Sequence, residues 1–593
     1  MTPQTPTQPL LKIDELKMYF HSRERTVRAV DAISLTLEKG RSLGVVGESG
    51  SGKSMTAMSV LQLIPMPPGK FEGGAITFNG QNLIGLKKQE LRAIRGRDIS
   101  MIFQEPMTSL NPVFTAGEQV AEAIRIHQTV SKAEAKKRVL DLFQEVGIPE
   151  PQRRYDSFPH QMSGGQKQRV MIAMALASNP KLLIADEPTT ALDVTIQKQI
   201  LELLIKLRDS RDMAILFISH DLGVIAEISD DVAVMFRGKI VEYGPVHQIL
   251  TNPQHPYTKG LLSCRPPLDV RVDRLRTVAD FLTGKEELNE LGIAKSSHIY
   301  TQEEVSARRV KLESRPPILE VKDLKVHFPI RKGFFGRVVD HVKAVDGISF
   351  KVHKGQTLGL VGESGCGKTT TGRAIIRLIE PTAGSVMFEG QDFLNLKGAR
   401  LRSARKRIQM IFQDPYSSLN PRMTVKQIIM EGMIIHGLHK NSMEREEATV
   451  QLLEQCGMPA DAMNRFPHEF SGGQRQRIAI ARTLAVKPDL IICDESVSAL
   501  DVSVQAQILN LLKDLQDELD VAYIFISHDL SVIKHISDEI AVMNKGVIVE
   551  YGAAEEVYAN PKDDYTRKLI NSIPRIDGPA LLERQRSRGL VTD

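Results

Sequence analysis

The eight residues GESGSGKS begin at Gly47, and GESGCGKT begins at Gly362. Both fit G-x-x-x-x-G-K-[ST], a loop whose backbone N–H groups wrap the phosphates of a nucleotide. Such a loop works between a buried strand and a helix whose N-terminus faces the anion. Two copies in one chain mean either two separate nucleotide machines or one machine with two seats.

The chain repeats far more than its loops. FISHDL occurs at 217–222 and 525–530, and SGGQ at 163–166 and 471–474, each pair 308 residues apart. IFQ at 102–104 and 411–413 is 309 apart, and the phosphate loops are 315 apart. The extra residues of the second copy lie in IRKGFFGRVVDHV, which reads as a longer hairpin. The period far exceeds the ~20–50 residues of a solenoid unit, so whole domains are duplicated. We divide the 593 residues into domains at 1–265 and 317–593, joined by a linker at 266–316. The linker is bracketed by Pro266–Pro267 and Pro316–Pro317, is nearly charge-balanced, and has room for one or two short helices.

Within each copy, SLGVVG and TLGLVG read as buried strands feeding the loops, followed by helical patterns SMTAMSVLQLI before Pro65 and TTTGRAIIRLIE before Pro381. LLIAD, AILFIS, LIICD and AYIFIS read as further buried strands. Strands alternating with helices imply α/β units with a mostly parallel sheet. No run approaches the ~20 apolar residues of a membrane span. The first residues, MTPQTPTQPLLKIDE, lack a basic and then apolar leader. Cys264, Cys366, Cys456 and Cys493 stand far apart, which disfavours a zinc site or a disulfide framework. Together these point to the cytosol. The net charge of +5, over 77 basic and 72 acidic residues, is too slight to mark a nucleic-acid binder.

The chemistry starts at the loops. Gly47, Glu48, Ser49, Gly50, Ser51 and Gly52 form the first, with Lys53 as a point charge for the β- and γ-phosphates and Ser54 as a hydroxyl for Mg²⁺. Gly362, Glu363, Ser364, Gly365, Cys366 and Gly367, then Lys368 and Thr369, repeat the scheme. Asp186 and Asp494 end apolar strands and can reach the metal. Glu187 and Glu495 come next and can polarise the water that attacks the γ-phosphate. Ser163, Gly164, Gly165 and Gln166, and again Ser471, Gly472, Gly473 and Gln474, open helices and offer a second anion-binding N-terminus in each domain. A domain that already owns a phosphate loop has that second site to spare for its partner's nucleotide.

With these motifs in this order the chain resembles two ATP-binding-cassette (ABC) ATPases fused head to tail, over nearly everything except the linker and the extreme termini. The resemblance implies tandem domains of the P-loop NTPase fold, each with a helical subdomain carrying the signature. It implies that ATP lies between the loop of one domain and the signature of the other, so that Lys53 works with Ser471–Gln474 and Lys368 with Ser163–Gln166. It makes Gln104 and Gln413 the glutamines that touch Mg²⁺ and water and sense a membrane partner. His220 and His528 become the switch histidines near the γ-phosphate, and Asp193 and Asp501, in ALD, the loop crossing between domains. Phe20 and Phe328 fall where an aromatic stacks on adenine, although Tyr19 is adjacent and either ring could serve. His160 and His468 recur before the signatures without an assigned role. Ser496 stands where the first copy has Pro188, a change expected to affect rigidity rather than chemistry.

Within the family, a DNA-repair type would carry zinc-binding C-x-x-C pairs and a ribosome-recycling type an iron–sulfur cysteine cluster. A translation-factor type acting on ribosomes, without a membrane partner, is the alternative reading, and it would want a long basic arm between the copies. FQEPMTSLNP and FQDPYSSLNP, with NPQHPYTKGLL and its worn copy NPKDDYTRKLI, resemble instead the oligopeptide/dipeptide importer group. There, fused two-domain subunits serve glutathione or peptide import. ESVSALDVS leans to the first, and FPIRKGFFGRVVDHV to the second. The resemblance implies ATP and Mg²⁺ as cofactors, two integral membrane permease subunits, a periplasmic binding protein acting indirectly and no nucleic acid. It implies a peripheral position on the cytoplasmic face of a bacterial inner membrane.

Overall fold

The computed structural model describes residues 8–587 apart from 23–24, 105–108, 191, 285, 290–292, 333–336, 499, 575 and 577. Part of FQEPMTSLNP, the turn of the IRKGFFGRVVDHV hairpin and the alanine of each ALD lie outside the described residues.

Each half is built on two sheets. In the first, β1 (Leu11–His21), β2 (Thr26–Leu37), β4 (Gly69–Phe78) and β5 (Gln81–Asn82) form an antiparallel sheet in the order β2-β1-β4-β5. The strands β3 (Ser42–Val46), β6 (Ile99–Ile102), β7 (Leu182–Asp186), β8 (Ala214–Ser219), β9 (Asp231–Phe236) and β10 (Lys239–Pro245) form the other, in the order β10-β9-β3-β8-β7-β6. That sheet is parallel except at β10. The second half repeats both. Its antiparallel sheet is β12-β11-β14-β15, from β11 (Pro317–Lys332), β12 (Arg337–His353), β14 (Ala383–Phe388) and β15 (Gln391–Asp392). Its mixed sheet is β16-β17-β18-β13-β19-β20, from β13 (Thr357–Val361), β16 (Ile408–Ile411), β17 (Leu490–Asp494), β18 (Ala522–Ser527), β19 (Glu539–Asn544) and β20 (Val547–Ala553). The extra residues of the second copy lengthen β11 and β12, which pair as far as Lys332 opposite Arg337.

The parallel strands read as unbroken apolar runs because both of their faces are covered. Leu43, Val45, Leu182 and Ile184 pack toward the antiparallel sheet, and Val46, Leu183, Ala185 and Phe217 toward the helices. The sequence reading of a mostly parallel sheet thus fits one sheet of each half. The antiparallel layer escaped it because its strands carry a polar outer face. The helices after the loops are shorter than their patterns predict, Lys53–Val60 and Lys368–Ile375. Gln62 and Arg377 turn into the left-handed region, at φ 49° and 55°. Arg95 donates to the carbonyls of Leu61 and Gln62 at 2.8 Å each, and Arg405 to those of Ile376 (3.1 Å) and Arg377 (2.6 Å). A guanidinium capping the last carbonyls ends a helix that periodicity alone would prolong.

A helical layer covers the outer part of each half, with helices Ala116–His127, Lys132–Glu145 and Gly164–Leu176 in the first and Val425–Ile435, Ser442–Gln455 and Gly472–Leu484 in the second. Among the described residues no helix is long and apolar enough to cross a membrane.

The segments that follow the two halves cross over. The linker holds short helices Val278–Leu282 and Gln302–Glu313 and is anchored on the second half. Asn510 exchanges two hydrogen bonds with the Leu275 backbone, Arg274 pairs with Asp514 at 2.9 Å, and Arg308 with Asp538 at 2.8 Å. In the other direction the final helix, Gly578–Ser587, lies on the first half, where Gln585 donates to the Asp230 carbonyl at 2.9 Å and meets His247. Apolar residues of the linker, Val272, Leu275 and Val278, join a buried cluster that runs through both halves.

Candidate functional site

Parallel strands deliver their C-terminal ends to one edge of a sheet, where α/β folds gather their chemistry. Here β3 runs into the phosphate loop, β7 ends at Asp186, β8 is followed by His220, and Gln104 follows β6. The loop glycines are required by close packing. A Cβ on Gly47 would stand 2.2 Å from the Met235 carbonyl oxygen, and one on Gly52, at φ 108°, 2.4 Å from that of Ala29. Gly362 and Gly367 are blocked in the same way by Met543 and Ala344. Lys53 is buried and donates to the Gly47 (2.7 Å) and Glu48 (3.0 Å) carbonyls, and Lys368 does the same to Gly362 and Glu363. Burial holds the Lys53 ammonium below the ordinary lysine range, against the pull of Glu187, Asp501 and Asp186. It is a buried cation held by carbonyl dipoles, ready for an anion.

Ser54 donates to Asp186 at 3.0 Å and Thr369 to Asp494 at 2.7 Å. Burial pushes the Asp186 carboxyl up to about 6, against the Ser54 hydrogen bond, and moves Asp494 in the same direction. Glu187 goes the other way. Burial would raise it, but the hydrogen bond and charge of His220, with Lys53, hold it below the usual carboxylate range. His220 Nδ1 lies 3.2 Å from its Oε2, and the histidine is held above its ordinary value because Glu187 outweighs burial. Glu495 and His528 shift in the same directions, at 3.5 Å. Gln104 donates to Glu187 at 3.1 Å and Gln413 to Glu495 at 2.7 Å. Adjacent carboxyls with pKa values driven apart are suited to different tasks.

Both glutamates adopt the left-handed backbone, at φ 47° and 46°. Their N–H groups thereby bond the carbonyls of Ile218 (3.0 Å) and Ile526 (2.9 Å). Non-glycine residues held there cost of order 1 kcal/mol and cluster at functional sites. The same turn forms with Ser496 as with Pro188.

The oxygen donors at the loop ends fit a magnesium ion. Asp494 Oδ2 is buried without a hydrogen-bond partner, beside the Thr369 hydroxyl. Among the described residues no group of three or more His, Cys, Asp or Glu converges. Magnesium, which keeps water and takes phosphate oxygens, needs only one or two protein ligands.

Ser163 and Ser471 cap their helices in reciprocal pairs with Gln166 and Gln474, leaving exposed N-termini. The second signature reaches the first loop through one short segment. A Cβ on Gly473 would press on Val504 at 2.3 Å. One residue earlier, Ser503 hydrogen-bonds the Glu48 carboxylate, and Asp501 accepts from Ser49 at 2.8 Å. The mirror site is not identical, since Asp193 accepts instead from Ile196 N–H of its own helix, at 3.0 Å. Between the halves lies a cavity whose lining includes Thr190, His220 and Asp221 from the first and Ser498, His528 and Asp529 from the second.

At the edge of the antiparallel sheet, Tyr19 donates to Asp31 at 2.5 Å, and its counterpart His327 lies 3.1 Å from Asp346. Phe20 is half-buried, and Phe328 is 41 % exposed. His160 and His468 stack on Phe158 and Phe466 with ring centroids 5.7 and 5.8 Å apart.

Sequence reasoning missed two groups, one on the phosphate loops and one at the opposite ends of the strands that feed them. Tyr257 and Tyr565 accept hydrogen bonds from the backbones of Glu48 and Glu363, and Arg308 supplies the second half with a charge that Arg208 supplies in the first. The repeat at offset 308 held the signal for both. The tyrosine is kept within the worn copy of NPQHPYTKGLL, and Arg208 becomes Gln516.

Comparison with known proteins finds matches in both halves. The sequence profile of the ABC transporter family matches residues 30–190 and 345–498. That of the oligopeptide/dipeptide transporter C-terminal region matches 241–292 and 549–592. The chain is 47% identical over 567 residues to the peptidoglycan transport ATP-binding protein YejF of Agrobacterium fabrum, covering 96% of this chain and 97% of that one. It is 46% identical over 593 residues to the glutathione import ATP-binding protein GsiA of Pectobacterium atrosepticum, covering 99% and 93%. To the GsiA protein of Salmonella typhimurium it is 47% identical over 576 residues, covering 96% and 90%.

Proposed function

The chain belongs to the ABC transporter family, and from that premise we propose that it is the ATPase subunit that drives import of short peptides or of glutathione. The observation that carries this reading is the oligopeptide/dipeptide C-terminal region, matched once in each half. Relatives of nearly the same length, named for peptidoglycan transport and glutathione import, support a peptide-like solute.

The working units are the domains 1–265 and 317–593 with their linker at 266–316. ATP binds at two shared sites. Lys53 leaves the Gly47 and Glu48 carbonyls for the β- and γ-phosphates, while Ser471–Gln474 of the other half closes over them. Lys368 and Ser163–Gln166 make the second site. Phe20 and Phe328 take the adenines, since Tyr19 and its counterpart His327 are committed to carboxylates. Ser54, Asp186 and Gln104, and Thr369, Asp494 and Gln413, hold magnesium, which neutralises phosphate charge when bound. Glu187 and Glu495 accept the proton of the attacking water. His220 and His528 fix those carboxylates and face the γ-phosphate. Asp193 and Asp501 carry the state of one site across to the other.

Closure on ATP and reopening after hydrolysis would be passed to two permease subunits at the glutamine loops, with a periplasmic binding protein delivering the solute. The chain would then sit peripherally on the cytoplasmic face of the inner membrane. The test is affinity purification from a membrane fraction, with mass spectrometry of what co-elutes. Two multi-span permeases are expected, whose binding protein can be screened with di- and oligopeptides and glutathione. Co-eluting ribosomes without a membrane protein would overturn the importer reading in favour of a translation factor.

A further inference from the structure

In each half a tyrosine from far along the chain contacts the phosphate loop. Tyr257 Oη accepts from the Glu48 N–H at 2.9 Å, and Tyr565 Oη accepts from the Glu363 N–H at 2.9 Å. Both tyrosines lie in the regions that match the oligopeptide/dipeptide C-terminal profile.

The tyrosines are held by a repeated scaffold. Tyr257 is fully buried and packs on Phe236 with ring centroids 4.3 Å apart. Its helix, Pro256–Ser263, starts from a fixed point. Glu242 of β10 accepts from Gln254 (2.8 Å) and His255 (3.2 Å), and His255 accepts from the Tyr257 N–H at 3.1 Å. In the second half Glu550 of β20 accepts from Lys562 (2.8 Å) and Asp563 (3.1 Å), and Asp563 accepts from the Tyr565 N–H at 2.8 Å. The His-Pro pair before the first tyrosine is Asp-Asp before the second, yet the hydroxyl arrives at the same amide.

Glu48 is a junction. Its N–H faces Tyr257, its carbonyl accepts from Lys53, and its carboxylate meets Ser503 of the other half. When the lysine transfers to phosphate, the Gly47–Glu48 peptide loses the bond at its carbonyl, while the tyrosine hydroxyl stays on its N–H and the Ser51 N–H (3.1 Å) stays on the Glu48 carbonyl. A peptide that turned would misaim the N–H groups that follow it in the loop, and those groups form the anion cradle. Beyond Tyr257 the chain continues through Arg265, which donates to the Pro574 carbonyl at 2.6 Å, into the linker anchored on the second half.

We propose that Tyr257 and Tyr565 are positioning residues that orient the phosphate loops through the Glu48 and Glu363 amides, giving the C-terminal regions a direct part in ATP binding. This rests on the ATPase reading above. Because the loop meets phosphate in ground and transition states alike, losing the hydroxyl weakens ATP binding more than turnover.

The test uses the full chain with Tyr257→Phe and Tyr565→Phe, singly and together. ATP hydrolysis with magnesium gives KM and kcat, and calorimetry gives ATP affinity. The double variant is expected to raise KM and Kd about three- to tenfold, the ratio that one ordinary hydrogen bond represents, with kcat within about twofold. Tyr523→Phe is the control. Its buried hydroxyl donates to the Leu512 carbonyl at 3.0 Å, and its loss should leave KM unchanged. Unchanged KM and Kd in the double variant, a loss confined to kcat, or an equal rise in KM for Tyr523→Phe would overturn the proposal. A wild-type chain that binds ATP without hydrolysing it would overturn the ATPase reading, and the affinities would still decide the role of the tyrosines.

Discussion

Arg308 lies in the linker, yet the second half depends on it for a charge. In the first half, Asp230 accepts from the Ser42 N–H at 2.8 Å, with the guanidinium of Arg208, fully buried, at 3.7 Å. In the second, Asp538 accepts from the Thr357 N–H at 2.9 Å, but Gln516 stands in place of Arg208. Arg308 donates to Asp538 at 2.8 Å instead, with Arg271 at 3.6 Å. Stripping one partner from a buried ion pair costs ~3–5 kcal/mol. Arg308 is 42 % exposed, so solvent screens part of its pull, and Arg271 stays behind. Arg308→Gln should therefore cost about 1.5–2 kcal/mol, near one charge-assisted hydrogen bond. At ~2–4 °C per kcal/mol, the thermal midpoint of the second half should fall by roughly 3–8 °C. The informative arm is the double variant Arg308→Gln with Gln516→Arg, which rebuilds the arrangement of the first half and should recover most of the loss. Calorimetry that separates the two halves reads both numbers. No shift in the single variant, or no recovery in the double, would refute the claim that the linker completes the second half.

Glu187→Gln with Glu495→Gln should cut ATP turnover by at least about a hundredfold while leaving ATP bound, as expected for loss of a general base; undiminished turnover would sink that assignment. The histidine–glutamate pairs predict a pH dependence. Each histidine is raised, so its stabilisation is complete below the unfolded value of ~6.5 and fades as pH rises through the folded one. Each glutamate is lowered, so its share is complete above ~4.3 and fades as pH falls through the folded value. His220→Gln with His528→Gln should thus lower the unfolding midpoint of nucleotide-free protein more at pH 6 than at pH 9, and equal losses would speak against the pairing.

The parts of the site that were legible in the sequence are those made by local chemistry. Gly47 through Ser54, the acidic pair at the end of β7 and the capped SGGQ helices each declare themselves within a few residues, and the repeat at offset 308 multiplies the signal. What stayed hidden depends on distant parts of the chain. The left-handed backbone of Glu187 is imposed by the Ile218 carbonyl on the next strand. The ends of the helices after the loops are set by Arg95 and Arg405, some 30 residues away. Tyr257 reaches a loop 209 positions earlier, and Arg308 pairs 230 positions onward. No periodicity encodes such contacts. In retrospect, the retained tyrosine of the worn motif and the exchange of Arg208 for Gln516 were the two visible traces.

Sharing of each ATP between the halves is the feature on which the proposed function depends. Hydrogen exchange of the Glu187→Gln, Glu495→Gln chain with and without ATP tests it most directly, with Lys53→Ala added in a second sample. ATP should slow exchange in both phosphate loops and at the starts of both signature helices, after Ser163 and after Ser471. Adding Lys53→Ala should erase protection in the first loop and after Ser471, while the second loop and the stretch after Ser163 stay protected. Loss after Ser163 instead would mean that each half holds its own nucleotide, and the shared-site account would fall.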